Sequence, residues 1–183
     1  MSDRPTLTTA RLLLRPFVLT DAPDVQRLCN VREIALNTLL IPHPYPDGMA
    51  EQWIASQVEN FAKGEVITFA ITLREGSELA GAIGMRIQLD NDCAEIGYWV
   101  GVPYWGRGFA TEAARAVVVY GFDRLVLNRI FAEHFTRNAS SGRVLQKIGM
   151  RHEGTMRQGH KKWGEYVDSE LYAILRSDRT ALP

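Results

Sequence analysis

The strongest chemical signal in the sequence is a turn with two glycines, Trp105-Gly106-Arg107-Gly108-Phe109-Ala110, followed by Thr111. The glycines let the backbone turn tightly while the next residues begin a helix, so several amide N–H groups point into one concavity. These amides and the positive end of the helix dipole suit a diphosphate without a dedicated lysine. Arg107 can add a charge-assisted contact. The turn therefore predicts a phosphate site on its backbone.

Two glycines alone do not identify the ligand. A strand-to-helix turn of the pattern GxG is more often only a tight connection. A P-loop needs GxxxxGK followed by Ser or Thr, which this sequence lacks, and a dinucleotide-binding turn needs a third glycine where Thr111 stands. The ligand must therefore be identified from the residues that flank the turn.

The elements around the turn alternate between strands and helices. Short apolar and β-rich runs predict strands at residues 12–14, 66–73, 82–89 and 94–102 before it, and at 129–135 after it. Two further strands are predicted between Met150 and Leu175, around Trp163-Gly164. A mixed antiparallel and parallel sheet flanked by helices accounts for this order, which predicts an α+β fold.

Helices are predicted from their caps and apolar faces. Thr20, Asp47 and Asn138 are placed to cap three of them, while Gly64 and Gly149 end the second and the last. The helix capped by Asp47 shows an apolar face, and so does the helix after the two-glycine turn. The members of these faces are Ala50, Trp53, Ile54, Val58 and Phe61 in the former, and Ala113, Ala114, Val117, Val118 and Phe122 in the latter.

Composition limits the class of protein. Lysine plus arginine and aspartate plus glutamate both total 21, so no net charge favours nucleic acid or an anionic membrane. The start lacks an apolar signal core, and no run is long enough to span a membrane, which predicts a cytoplasmic location. Cys29 and Cys93 lack CxxC spacing and the histidines form no paired pattern, so we expect reduced thiols and no metal site. One domain over residues 1–183, with a core at about 7–176, is the default.

The turn and the residues that flank it resemble a known family. The turn is similar to the acetyl-CoA signature of the Gcn5-related N-acetyltransferase (GNAT) superfamily, with Gly108 and Ala110 at its glycine and small-residue positions and Trp105 where Gln or Arg is usual. The upstream run EIGYWV and the downstream pattern NxxSxRVLxKxGM are typical of the RimJ/RimL branch, which acetylates the N-termini of ribosomal proteins. The resemblance extends from Leu12 to Leu175 and implies acetyl-CoA as co-substrate.

The resemblance also implies how the co-substrate is held. The strand that ends at the signature splays from its neighbour at a bulge, and its free backbone groups pair with pantetheine; Val100 and Val102 occupy the matching positions. Asn138 matches a pantetheine contact, although a helix N-cap is its ordinary role. Arg143 and Lys147 stand where cofactor contacts are plausible, although solvated helix charges are the ordinary interpretation.

The catalytic residues are likewise implied by the resemblance. Glu95 is the expected general base, acting through water, against the alternative of a solvent-exposed strand-end carboxylate. The tyrosine that many members use as general acid would fall at Leu145, so Ser141 is the expected substitute, against the alternative of a helix-surface serine. A serine hydroxyl is a weak acid, but it can donate a hydrogen bond to sulfur. The oxyanion is expected to meet a backbone amide near Val100.

The acceptor remains open at this stage. The resemblance favours transfer to a protein N-terminus, with a small-molecule amine or an aminoglycoside-like antibiotic as the alternative within enzymes. An acyl-CoA-binding sensor without turnover is the alternative from another class, and the sequence leaves open whether the chain forms a homodimer. Six side chains can line an acceptor cleft, although such aromatic residues more often belong to a core: Tyr45, Trp53, Trp99, His160, Trp163 and Tyr166.

Overall fold

Eight strands form a single sheet in the computed structural model, which describes residues 4–181. They are β1 (Leu7–Thr8), β2 (Leu12–Arg15), β3 (Val66–Leu73), β4 (Leu79–Gln88), β5 (Cys93–Val100), β6 (Arg129–Phe135), β7 (Arg151–Lys162) and β8 (Glu165–Leu175). Their order in space is β1-β2-β3-β4-β5-β6-β8-β7. Only β5 and β6 are parallel among the described strands. The predicted mixed, mostly antiparallel sheet is confirmed.

Helices cover both faces of this sheet. Within the described residues they are α1 (Ala22–Cys29), α2 (Arg32–Asn37), α3 (Met49–Ala62), α4 (Phe109–Asp123) and α5 (Ala139–Lys147). Gly121 of α4 lies against Met85 and Ile130 on one face, whereas Leu28 of α1 lies against Gly101 beside the other face. None of the helices in residues 4–181 has the length and apolar character needed to cross a membrane.

The predicted apolar face of α4 packs against the sheet. All five of its predicted members are at most 2% exposed: Ala113, Ala114, Val117, Val118 and Phe122. The face of α3 differs from the prediction at one position, since Val58 is 57% exposed while Ala50 and Ile54 are buried. The buried face of α4 fixes this helix on the sheet, and with it the two-glycine turn from which the helix starts.

The starts of the first and third helices differ from the prediction. Thr20 lies inside a short 3-10 turn, Leu19–Asp21, and Asp21 is the residue before α1. Gly48, rather than Asp47, precedes α3, with a left-handed φ of 77°. The Asp47 carboxylate instead accepts a hydrogen bond from Gln26 at 3.3 Å. The two predicted caps are therefore wrong, because other backbone and side-chain contacts take their place.

The buried carboxylate of Asp21 forms an ion pair with the part-buried Arg15 of β2, which ties α1 to the sheet. This carboxylate accepts hydrogen bonds from both terminal nitrogens of Arg15 at 2.8 and 2.7 Å, and from the Val18 N–H at 2.9 Å. Burial alone would raise the pKa of the Asp21 carboxyl, but these hydrogen bonds and the Arg15 charge hold it below its ordinary value. The pair therefore stabilises the fold while Asp21 is ionised.

We expect Asp21→Asn to lower the free energy of unfolding by about 3 kcal/mol at pH 7, because it leaves the Arg15 charge without its partner. A carboxyl with a lowered pKa contributes stability above its ordinary pKa and loses it as the pH falls through the folded-state value. The free energies of unfolding of the wild type and of Asp21→Asn, measured with urea, should therefore become equal at acid pH. Asp24→Asn is the control, since Asp24 forms an exposed pair with Arg27 and should change stability by under about 1 kcal/mol. An Asp21→Asn loss no larger than this control would contradict the role of the pair.

The strand ends also differ slightly from the prediction. β4 begins at Leu79, three residues before the predicted start, and Leu89 falls in the turn that follows it. β5 ends at Val100, so Val102 lies beyond the strand in a 3-10 turn, Val102–Tyr104. The hairpin at Trp163-Gly164 is confirmed, with left-handed φ angles of 51° and 87°. Two short elements that the sequence did not indicate, β1 and α2, complete the fold.

Candidate active site

Strands β5 and β6 separate partway along the sheet and leave a gap. β5 pairs with β4 over its whole length, from Cys93 to Val100. It pairs with β6 only from Cys93 to Glu95, and beyond the Glu95–Phe131 pair the two strands diverge. The predicted splay is confirmed, but neither ladder of β5 shifts its register, so the expected bulge is absent from the pairing.

The backbone of β5 faces this gap at alternate residues. The Gly101 N–H donates to the Ala80 carbonyl of the neighbouring chain segment at 2.8 Å, so Gly101 faces β4. Hydrogen-bonding groups alternate along an antiparallel ladder, and those of Val100 and Tyr98 therefore face away from β4 toward the gap. The indole N–H of Trp105 donates to the Val100 carbonyl at 2.5 Å. Val100 thus keeps its N–H for a ligand, whereas its carbonyl is already bonded.

The two-glycine turn presents a run of free amides beside the end of β5. Gly106 and Gly108 have left-handed φ angles of 74° and 80°, and α4 begins at the next residue, Phe109. No hydrogen-bond acceptor lies within reach of the amides of residues 106–111 in the described part of the chain. A Cβ built on Gly106 would point into open space. The turn therefore has the free donors that an anion such as a diphosphate requires.

Arg11, between β1 and β2 of the N-terminal hairpin, braces this turn through Glu112 of α4, and sequence reasoning missed both residues. The Glu112 carboxylate accepts from the Arg11 N–H at 2.8 Å, from Arg11 Nε at 2.7 Å and from Thr9 Oγ1 at 2.7 Å. Arg11 Nη1 also donates to the Arg107 carbonyl at 2.9 Å. The guanidinium groups of Arg11 and Arg107 both lie over the Phe109 ring. Arg11 thus fixes the turn and offsets the negative charge of Glu112 beside it.

Glu95 lies at the point where the strands separate, on the sheet face that also carries Glu133. It is half-buried, and burial, the largest influence, raises the pKa of its carboxyl above the ordinary value. The Arg86 and His160 charges oppose this increase, while the Glu133 charge adds to it. His160 Nε2 lies 2.8 Å from a Glu133 oxygen, and Ser169 Oγ donates to the same oxygen at 3.1 Å. A half-buried carboxylate with a raised pKa suits a general base.

Ser141 lies across the gap, in the first turn of α5. Asn138 caps this helix as predicted, and its side chain accepts from the Ser141 N–H at 3.2 Å. The Ser141 hydroxyl oxygen lies 2.8 Å from the phenol oxygen of Tyr98, a residue of β5 that sequence reasoning did not assign to the site. Leu145, at the position of the usual tyrosine acid, is fully buried in the core. Ser141 and Tyr98 therefore join the two sides of the gap.

Several predicted site residues have other surroundings. Arg143 is exposed and donates to Ser140 at 2.9 Å, and the Lys147 carbonyl accepts from Arg115 of α4 at 2.8 Å. Tyr45 is buried in the core, and Trp53 packs edge-on against Phe17. These two residues therefore follow the ordinary interpretation, with Tyr45 in the core and Trp53 packed against it. Among the remaining aromatic candidates, Trp163 and Tyr166 are exposed and His160 contacts Glu133.

The groups around the gap include those that acyl transfer to an amine needs. The free amides of the turn lie beyond one end of β5, and Glu95 lies where the gap begins. The Val100 N–H can donate to an oxyanion, and Ser141 supplies a hydroxyl from the other side. No residue of the chain has to form a covalent intermediate in such a reaction, because an amine can attack a thioester directly.

Comparison with known proteins identifies the family. The sequence matches the acetyltransferase (GNAT) domain over residues 11–151. The chain is 30% identical to the uncharacterized N-acetyltransferase p20 of Bacillus licheniformis, in a match that covers 94% of this chain and 97% of that protein. The chain therefore belongs to the GNAT family and is an N-acetyltransferase.

Solved structures of the family have the same fold. A GNAT-family acetyltransferase from Bacillus anthracis superimposes with a TM-score of 0.85 at 26% identity, covering 94% of this chain and 99% of that one. RimL, a ribosomal L7/L12 alpha-N-protein acetyltransferase solved in complex with coenzyme A, gives a TM-score of 0.86 at 20% identity and covers 93% and 98%. The eight-stranded sheet with its splayed pair is thus the GNAT fold.

Proposed function

We propose that this N-acetyltransferase takes the acetyl group from acetyl-CoA and transfers it to a primary amine, with a protein N-terminal amine as the preferred acceptor. The observation that carries the proposal is the gap between β5 and β6, with the free amides beside it and Glu95 where it begins. Two polar groups lie at the same gap: the Glu95 carboxyl, whose raised pKa suits a proton acceptor, and the Ser141 hydroxyl, which can donate a proton.

The surroundings of the gap fit acetyl-CoA. The amides of residues 106–111 would hold the diphosphate, with Arg107 adding its charge. The outward-facing backbone of β5 at Tyr98 and Val100 would pair with the pantetheine amides, as an added strand would. Asn138 remains a candidate for the far side of the pantetheine, whereas Arg143 and Lys147 rest only on the family resemblance. Acetyl-CoA supplies the activated acetyl group, a thioester.

The catalytic steps are assigned to three groups of this chain. Glu95 accepts a proton from the acceptor ammonium through water, which produces the neutral amine that can attack. The Val100 N–H donates to the oxyanion that develops on the acetyl carbonyl. Ser141 donates its hydroxyl hydrogen to the sulfur as the carbon–sulfur bond breaks. We propose that a thioester bound in the gap between β5 and β6 meets all three groups.

The acceptor is proposed from charge and from the named relatives. A primary amine arrives as an ammonium ion, and the carboxylates of Glu95 and Glu133 on one sheet face attract it. The ribosomal-protein-serine acetyltransferase of Escherichia coli is 32% identical over 52% of this chain and 54% of that protein. Its name supports a ribosomal-protein N-terminus as the acceptor here, in the manner of the RimJ/RimL branch.

A small-molecule amine is the second candidate, and one relative favours it. The FsC-acetyl coenzyme A-N(2)-transacetylase of Aspergillus fumigatus is 38% identical in a match that covers 83% of this chain and 67% of that protein. An acceptor screen with radiolabelled acetyl-CoA separates the candidates, using N-terminal peptides of ribosomal proteins, polyamines and aminoglycosides. We expect label on the α-amine of a peptide. Label only on small amines would favour the second candidate, and tight acetyl-CoA binding without transfer to any amine would contradict both.

We expect Arg11→Met to raise the KM for acetyl-CoA about tenfold while kcat changes less than about twofold. The substitution removes the bond to the Arg107 carbonyl and leaves the Glu112 charge beside the diphosphate without its partner. Steady-state kinetics with acetyl-CoA as the varied substrate measure the effect. Arg74→Met is the control, because Arg74 contacts the same hairpin at the Thr9 and Ala10 carbonyls without reaching the turn. Equal KM values for the two variants would contradict the role of Arg11.

A further inference from the structure

The phenol of Tyr98 has no role in the steps above, yet its contacts all lie at the gap. Tyr98 is largely buried, and its hydroxyl oxygen lies 2.8 Å from Ser141 Oγ and 3.4 Å from the Ser141 carbonyl oxygen. No other hydrogen-bond partner of this phenol is present among the described residues. The two residues come from opposite sides of the gap, β5 and α5.

The direction of the hydrogen bond between the two hydroxyls decides what Ser141 can do. A serine hydroxyl has a single hydrogen. If Ser141 donates it to Tyr98, none remains for the sulfur of the thioester. If Tyr98 donates to Ser141, the serine hydrogen is free to point elsewhere.

The chemistry of the pair favours donation by Tyr98. Burial raises the pKa of Tyr98 to about 12, so the phenol keeps its hydrogen at neutral pH. A phenol remains more acidic than an aliphatic alcohol and is the better donor of the two. The Ser141 carbonyl competes for the same single phenol hydrogen, but its oxygen lies 3.4 Å away whereas Ser141 Oγ lies at 2.8 Å, so the shorter contact favours donation to Oγ.

We infer that Tyr98 is a positioning residue whose phenol donates to Ser141 Oγ and thereby directs the Ser141 hydrogen toward the sulfur of the departing coenzyme A. The inference rests on the proposed function, since it needs Ser141 to serve the leaving group. When the carbon–sulfur bond breaks, the electron pair stays on sulfur, and sulfur takes the Ser141 proton. The acceptor ammonium gives up two protons in the reaction: one leaves through Glu95, and the other replaces the proton lost by Ser141.

The test is a double-mutant cycle with Tyr98→Phe, Ser141→Ala and the combined variant. Tyr98→Phe keeps the ring and removes the donor, so we expect kcat to fall about tenfold with the KM for acetyl-CoA unchanged. The combined variant should be no slower than Ser141→Ala alone, because a residue that acts through another adds nothing once that other is lost. Tyr120→Phe is the matched control. Tyr120 is a part-buried tyrosine near the C-terminal end of α4, where it packs against Phe69. It should retain the wild-type kcat.

The same cycle is run on the slow hydrolysis of acetyl-CoA by water, which needs a proton for sulfur but no amine. The inference would be overturned, while the proposed function stands, by either of two results. One is that the factors by which the two single substitutions lower the rate multiply in the combined variant; the other is a wild-type kcat for Tyr98→Phe. A wild-type rate for Ser141→Ala in both reactions would remove Ser141 from the mechanism and the inference with it. A non-additive cycle in hydrolysis, without transfer to any amine, would support the inference and contradict the proposed acceptor. Calorimetric binding of acetyl-CoA checks that each variant is folded.

Discussion

Substitution of Gly108 by valine should abolish acetyl-CoA binding, with a loss of at least about a hundredfold in affinity by calorimetry. Gly108 has a φ of 80° immediately before α4, a backbone conformation that a β-branched residue rarely adopts. Valine would therefore rotate the peptide groups on both sides, and their amides would no longer point into one concavity. A Cβ at this position would lie 3.4 Å from Arg11 Nη2, an ordinary contact, so the expected loss comes from the backbone conformation.

Gly64→Val is the control for the strain that valine introduces. Gly64 has nearly the same φ, 73°, and a Cβ there would meet nothing, but it ends α3 away from the gap. Both variants should lose similar stability in thermal unfolding, while only Gly108→Val should lose acetyl-CoA. If both bind acetyl-CoA with wild-type affinity, the amides of residues 106–111 are not the diphosphate site.

Local sequence signals predicted the parts of the fold that depend on neighbouring residues. The apolar period of α4 identified its buried face, and the glycines at the helix ends have the left-handed conformation expected of them, with φ of 73° at Gly64 and 88° at Gly149. Asn138 was recognised as a cap because the side chain and the amide it accepts from are three residues apart. These features need only the chain geometry within one or two turns.

The same signals were wrong where a distant residue competes. Asp21, not Thr20, precedes α1, and its carboxylate is bonded to Arg15 of the neighbouring strand. Asp47 contacts Gln26, which lies 21 residues earlier in the chain, and a glycine begins α3 in its place. The helix α2 has only six residues and no side-chain cap, so it offers neither periodicity nor a start signal. Contacts with other segments decided the starts of α1 and α3, whereas α2 has no local signal that could predict it.

The candidate site was predictable only in part for the same reason. The turn, Glu95 and Ser141 lie in or beside recognisable patterns, but their mutual placement depends on where β5 leaves β6. Arg11 and Glu112 are 101 residues apart, and Tyr98 and Ser141 are 43 apart. Ordinary sequence patterns contain no signal for such pairs. An arginine between two short strands and a tyrosine within a strand can each have many roles, which the sequence does not distinguish before the sheet is assembled.

The splay of one strand pair links the donor site to the chemistry. Because β5 stays paired with β4 throughout, the strand is held rigidly while its other edge is open beyond Glu95. Backbone donors on a rigid element need no reorganisation when charge develops nearby. Two of the aromatic side chains expected to line an acceptor cleft, Trp163 and Tyr166, are exposed. In the proposed function, the sheet backbone would therefore recognise the donor, whereas side chains at the surface would recognise the acceptor.

Substitution of Glu95 by glutamine should lower kcat at least about a hundredfold while the affinity for acetyl-CoA stays unchanged, because the amide cannot accept a proton. Burial raises the pKa of Glu95, and as a base the residue must be ionised. The acid limb of the wild-type kcat/KM profile should therefore lie above the ordinary pKa of a glutamate, and activity should fall as the pH drops through it. Glu95→Gln should lose this limb. Burial sets the direction of this shift in the pKa of Glu95, and the charges of Arg86, Glu133 and His160 adjust it.

The free energy of unfolding shows whether Glu95→Gln loses activity because it loses the base or because it unfolds. A carboxyl whose folded-state pKa is raised destabilises the folded state at pH values above that pKa, where burial opposes its charge. Glu95→Gln removes the charge, so its free energy of unfolding at pH 7 should equal or exceed that of the wild type. Glu65→Gln, an exposed change before β3, is the control and should retain full turnover. If Glu95→Gln keeps the wild-type kcat and the same acid limb, the proton from the ammonium goes to another group, and Glu95 has no part in the reaction.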